Sequence, residues 1–306
     1  MTKMAPIAFF CFNRPEHTLR SLTSLVDNPE AVESELFLFC DAPRNQEQEK
    51  AVHEVRQIVR NRQWCGSVHI IEQKTNLGCA GSIIKGVTQV CSDFGKVIVI
   101  EDDLVLSPHF LGYTNTALSV YESDPRVMQV SGHMFPIAFD CRTDALFLPF
   151  ITSWGWATWQ RAWRLFDPHM SGYGQIKGNR KMRYRFNMQG EYPYSKMLES
   201  QLRGEIDSWA IRWYLSVFLN NGLTLYPVTS LVENIGFDGS GVHCPNRSDV
   251  QHLHHRDPVS VFPATVEVDK DNLHKFTSYF NTTSRTRPSL SSLFKRVQSH
   301  VRALCK

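Results

Sequence analysis

The chain has 306 residues, 42% of them hydrophobic and 21% charged, with a formal net charge of +3. That composition excludes a disordered chain and a coiled coil, and so small an excess of cations argues against nucleic acid as a main partner. Its eight cysteines include no CxxC pair, and no apolar run approaches the roughly 18 residues needed to span a bilayer.

Ile7 to Phe12 is the first predicted strand. This stretch is short for a signal sequence and no small-residue cleavage site follows it, so the chain is expected in the cytoplasm with reduced cysteines. A helix over residues 14 to 26 follows, with Asn13 as its cap, Pro15 in its first turn, and Leu19, Leu22, Leu25 and Val26 on one face. Leu36 to Cys40, Val68 to Ile71, Val97 to Ile100 and Val127 to Ser131 read as further strands, apolar on both faces as central parallel strands are. Between them, residues 46 to 60 carry Val52, Val55 and Val59 at helical spacing, and residues 80 to 91 carry Ile83, Ile84, Val87 and Val90. Strand and helix alternate, which predicts an α/β fold with a mostly parallel central sheet flanked by helices.

Beyond about residue 140 the pattern changes. SWGWATWQRAW holds four tryptophans (154, 156, 159 and 163), YGQIKGNRKMRYRF is basic and aromatic, and IRWYLSVFLNNG reads as an apolar helix ending at Gly222. LTLYP is a strand, and NIGFDGSGVHC a glycine-rich loop suited to closing over a ligand. At the carboxyl end, Leu290, Leu293, Phe294, Val297, Val301 and Leu304 recur at helical spacing among basic residues. Such a tail is expected either to make peripheral contact with the inner membrane face or to pack on protein.

In VIVIEDDLVLSPHF, four apolar residues run into Glu101, Asp102 and Asp103. Ligands of open α/β sheets bind beyond the carboxyl ends of the strands, and three adjacent acids stay ionised together only beside a cation or several donors. A hard divalent metal completed by phosphate oxygens meets that need; a solvated acidic loop is the alternative. Two other strand ends point to the same crevice. Asn13 and Arg14 follow the first strand and Asp41 the second. Arg14 is suited to stack on a base and Asp41 to accept from a base or ribose, though a helix start and a turn would use the same residues. In KTNLGCAGS, Asn76, Gly78 and Gly81 let backbone approach a ligand, or simply make a tight turn before a helix.

Together, FCFNRPEHTLRSL, CDAP, VIVIEDDLVLSPHFL, DPRVMQVSG, SWGWATW and IDSWAIRW make residues 5 to 245 resemble the GT-A glycosyltransferases, within them the inverting enzymes similar to N-acetylglucosaminyltransferase I and bacterial cytosolic enzymes of that fold. The resemblance implies one domain over residues 1–255, with a nucleotide-binding half to 135 and an acceptor-binding half from 136, then an extension over 256–306. It implies a nucleotide-sugar donor, usually a UDP-sugar, and a glycan or lipid-linked glycan acceptor. Asp103 then binds Mn2+ or Mg2+, Asp102 lies by the ribose, Glu101 reaches the donor sugar, Arg14 and Asp41 hold the base, and Asp207 is the general base. It also sets the Trp154–Trp156 loop against the sugars, although four tryptophans equally suit a core layer. Asp207 also fits a helix cap, and His243, placed to approach the diphosphate or metal, also fits an ordinary surface histidine. The cluster His252, His254 and His255 with Cys244 matches no structural zinc spacing.

The chemistry asks for the same roles, because departure of a nucleotide diphosphate needs its charge neutralised and the acceptor hydroxyl needs a base. Two other functions share these features: a non-catalytic module that binds sugar nucleotides or glycans, and a sugar nucleotidyltransferase. NRPEHT lacks the glycine-rich loop expected of the latter.

Overall fold

The structure, a computed structural model, describes residues 3–237 and 257–285. Among them are strands β1 (Ile7–Cys11), β2 (Glu35–Cys40), β3 (Ser67–Glu72), β4 (Lys96–Glu101), β5 (Leu104–Leu106), β6 (Val127–Ser131), β7 (Ala145–Leu148), β8 (Trp156–Trp159), β9 (Leu223–Pro227) and β10 (Val232–Asn234). Helices are α1 (Pro15–Val26), α2 (Gln46–Arg60), α3 (Gly78–Phe94), α4 (Phe110–Val120), α5 (Gln160–Trp163), α6 (Tyr173–Lys177), α7 (Arg180–Phe186), α8 (Tyr194–Leu202), α9 (Trp209–Leu219) and α10 (Lys270–Arg285).

Eight strands form one sheet in the order β3-β2-β1-β4-β8-β6-β9-β7. β3, β2, β1 and β4 are mutually parallel; β8 runs against its neighbours β4 and β6, and β7 against β9. The expected α/β sheet is therefore present, with an antiparallel strand inserted at its centre. Strand alternation then sorts the apolar side chains. Ile7, Phe9, Ile98 and Ile100 pack with α1 and α4, whereas Ala8, Phe10, Val97 and Val99 pack with α3 and α9.

Several local expectations change. Ile70 in β3 is 37% exposed, because β3 is the sheet edge and not a central strand. Leu19 faces solvent, since the buried side of α1 is built from Thr18, Ser21, Leu22 and Leu25. Arg14, not Asn13, occupies the cap position of α1, and no side chain caps it. α9 ends at Leu219, and Asn221, at φ 52, supplies the left-handed residue expected at Gly222; the Gly222 N–H donates to Val217 O (2.8 Å).

Residues 257–285 pack against the preceding chain. Phe276 is buried and stacks on Phe150 (5.6 Å), Tyr121 Oη donates to Pro263 O (2.7 Å), and Asn272 Nδ2 donates to Asp140 O (3.1 Å). The expected basic tail helix lies outside the described residues.

Candidate functional site

β4 delivers its last residue, Glu101, to the face shared by Val97 and Val99, where Cys79 of α3 places its Sγ 3.8 Å from Oε2. Asp102 turns to the opposite side and is buried. It accepts from the Phe12 N–H (3.2 Å) and forms an ion pair with Arg14. Asp103 accepts from Arg14 Nη1 (3.2 Å), and its backbone carbonyl accepts from Ile235 N–H (2.8 Å). That last bond extends the two-stranded ribbon of β5 and β10, which draws Gly236 over the acids. A Cβ on Gly236 would lie 2.6 Å from Asp103 Oδ2 and 3.2 Å from Arg14 Nη1, so a larger residue here would have to displace this ion pair.

One guanidinium faces three carboxyl groups. Burial, then the neighbouring Asp103 and Asp102 charges, push Glu101 up to about 8. Burial also raises Asp102, against the opposing pull of Arg14. The acids keep Arg14 firmly protonated. Ionising all three acids therefore calls for a further cation, and the donors are hard oxygens, which fits Mg2+ or Mn2+. Among the described residues no group of three or more His, Cys, Asp and Glu could hold a metal ion. Asp103 and one further carboxylate would be the protein's share of such a site, the rest coming from substrate oxygens and water.

Asp41 is buried at the end of β2 and accepts from the N–H groups of Ala42 (2.9 Å), Leu77 (2.9 Å) and Gly78 (3.0 Å). Its carboxylate therefore locks the turn that opens α3. Asn76 belongs to the same lock, its Nδ2 donating to Ala42 O (2.6 Å) and its Oδ1 accepting from Gly78 N–H and Arg44 Nε (both 3.1 Å). Arg44 also lies over the Phe12 ring (5.8 Å), which joins this turn to the end of β1. Asn13 is half-buried at the β1–α1 junction. Arg14, expected at the base, is engaged with Asp102 and Asp103 instead.

Trp154 and Trp156 separate at Gly155, whose φ of 59 breaks strand alternation. Trp156 enters β8 at the middle of the sheet, fully buried and stacked on Trp209 (5.0 Å). It belongs to the core, and the expectation that it touches a sugar is corrected. Trp154 is half-buried between His133 (ring centroids 4.4 Å) and Phe237 (5.5 Å), the residue after Gly236. Contact thus runs from Asp103 through Gly236 and Phe237 to Trp154 and His133. His133 is buried at the end of β6 with Nδ1 3.2 Å from Ser230 Oγ, and burial lowers its pKa to about 3, so the ring is neutral.

Asp207 precedes α9 and is 64% exposed, paired with Arg212. The cap of α9 is Ser208, whose Oγ accepts from Ile211 N–H (3.4 Å), so Asp207 is free of that duty. Trp209, two residues on, ties this end of α9 to Trp156 in the sheet.

Cys79, Arg44, Phe12 and His133 carry no sequence signal that singles them out; each is ordinary in type and is made significant by the element that crosses beside it. His243, His252, His254, His255 and Cys244 lie outside the described residues.

No family model and no curated protein matches the chain. Among solved structures, S. aureus TarS 1-349 aligns over 75% of this chain and 59% of its own at 13% identity and a TM-score of 0.45. GalNAc-T7, solved with UDP, GalNAc and Mn2+, aligns over 76% of this chain and 44% of its own at 9% identity and a TM-score of 0.45. The chain therefore spans less than two thirds of the length of either. At such distances the site's own geometry carries the functional reading.

Proposed function

We propose that the chain is an inverting, metal-dependent GT-A glycosyltransferase. It would move a hexosyl or N-acetylhexosaminyl group from a nucleotide sugar, a UDP-sugar above all, to a glycan hydroxyl in surface polysaccharide or lipopolysaccharide synthesis. The observation that carries this reading is the crowding of three carboxyl groups, Glu101, Asp102 and Asp103, around the single guanidinium of Arg14 at the carboxyl end of β4, beside the ends of β1 and β2. A donor diphosphate with its divalent cation complements such a site in charge and in ligand type.

Bound Mn2+ or Mg2+ would neutralise charge on the departing diphosphate. Asp103 would hold it, oriented by Arg14 and by the Ile235 N–H bond to its backbone. Glu101, next to Cys79, would reach the donor sugar. Asp41 and Asn76 act by fixing the turn against which a base would lie. Trp154, packed against His133 and only half-buried, would be the residue of this loop to meet a sugar ring. Asp207 would take the proton of the acceptor hydroxyl as its oxygen attacks the anomeric carbon. The bond to the diphosphate oxygen breaks with its electron pair, inverting that carbon. Arg212 orients the Asp207 carboxylate for this transfer.

Three measurements test the reading. Asp103→Ala is expected to abolish donor turnover and its Mn2+ dependence; intact turnover removes the metal assignment. Asp207→Asn is expected to lose transfer and keep nucleotide binding, whereas loss of both would make Asp207 structural. NMR of the product anomer reads inversion directly, and a retained configuration would overturn the single-displacement mechanism.

A further inference from the structure

We propose that the outer face of α6 and α7 docks on an anionic phospholipid bilayer. Between Asp167 and Glu191 the sequence contains no acid and five cations, Lys177, Arg180, Lys181, Arg183 and Arg185, and all five side chains are exposed. None of them pairs with a carboxylate among the described residues. The helix that presents them is well anchored. Asn179 Oδ1 caps α7 by accepting from the N–H groups of Lys181 and Met182 (both 3.0 Å), and Phe186 is buried on the opposite side. Arg185 lies over the Phe218 ring of α9 (5.6 Å) and remains exposed.

An ordinary solvated helix looks different. α2 interleaves Glu47, Glu49, Lys50, Glu54, Arg56 and Arg60, with Lys50 paired to Glu54 and Arg56 and Arg60 to Glu72. α7 instead sets Lys181 against Arg185 and Arg180 against Arg183, like charges at i,i+4 and i,i+3 that repel. With a net charge of only +3 over the whole chain, this is a local concentration and not general basicity. An anionic surface would relieve the repulsion. Tyr184, 54% exposed between Arg183 and Arg185, decides for a bilayer: an apolar ring with a polar tip among cations suits the headgroup layer.

The test is sedimentation of the full chain with vesicles of phosphatidylcholine alone and of phosphatidylcholine mixed with phosphatidylglycerol. Binding is expected only to the mixed vesicles, to fall with added salt, and to weaken about fivefold for each cation removed. Combined Lys177→Ser, Arg180→Ser, Lys181→Ser, Arg183→Ser and Arg185→Ser should release the chain, whereas Arg→Lys at 180, 183 and 185 should retain it. If the fivefold variant does not fold, Arg180→Ser with Arg183→Ser is expected to lose about 25-fold. Unchanged binding of the folded serine variants overturns the proposal, because another surface such as the carboxyl-terminal tail then holds the membrane. Binding of dextran sulfate through α7 without binding of mixed vesicles also overturns it, in favour of an anionic glycan.

Discussion

The aromatic layer around β8 and the acid cluster at the end of β4 use burial in opposite ways. Towards α3, α5 and α9, Trp156, Trp163, Trp209, Trp213 and Phe166 form a continuous aromatic layer, with Trp156 on Trp209 at 5.0 Å and Trp163 on Trp213 at 5.1 Å. Trp213 Nε1 donates to Gln129 Oε1 (2.7 Å) and Trp163 Nε1 to Thr88 Oγ1 (2.9 Å), so much of that layer is both dense and satisfied. At the end of β4, the same burial surrounds three carboxyl groups with one arginine and raises the pKa of two of them. The aromatic layer gains stability from exclusion of water. The acid cluster loses stability to it, and that loss is what a bound cation would recover. A site is recognisable here as the place where burial and charge disagree.

The largest effect should come from breaking the layer. Trp156→Ala removes a fully buried indole, expected to cost about 3–5 kcal/mol and to lower Tm by on the order of 10 °C. A negligible fall in the melting curve would show that the layer is not what holds this half together. Gly236→Ala comes next, because its Cβ would press on Asp103 Oδ2 and Cβ. Nucleotide or Mn2+ affinity, measured by titration calorimetry, is expected to drop about tenfold or more, with a smaller loss of Tm than in Trp156→Ala. Unchanged affinity would place the ligand away from the ribbon.

The acid cluster can be read by pH. The folded pKa of Glu101, about 8, lies above its ordinary 4.5, so the folded chain holds a proton that the unfolded chain releases between those values. Stability from this group is present below about pH 4.5 and is lost as pH rises towards 8. Glu101→Gln should therefore raise Tm at pH 8 without divalent cation, by about 2–4 °C for each 1 kcal/mol, and have little effect at pH 5. A variant that melts lower at pH 8 would mean that the carboxylate is balanced after all. The smallest effect is expected at Asp207. Its pair with Arg212 is exposed on the aspartate side, so Asp207→Asn should move stability by no more than about 1 kcal/mol. Loss of transfer without loss of Tm would then be chemical.

Much of the first half was legible along the chain. Apolar runs gave β1, β2, β4 and β6 to within a residue or so at each end, and Val52, Val55 and Val59 line the buried face of α2 as their spacing requires. Leu19 and Ile70 were misread because periodicity reports an apolar stripe, not which elements cover it. The second half was less legible, since four closely spaced tryptophans fit a core or a sugar platform equally well until Gly155 parts Trp154 from Trp156.

The sequence by itself determined that the sheet is α/β and that Arg14, Asp41 and the three acids stand at strand ends, because both follow from local periodicity and chain direction. Only the tertiary structure decided what those side chains meet. Arg14 closes on Asp102 and Asp103, Asp41 is taken up by backbone N–H groups, Ser208 leaves Asp207 free of capping, and β10 carries Gly236 onto the metal-binding candidate. These contacts join residues up to about a hundred or more positions apart, so their energies depend on packing between elements that no local pattern encodes.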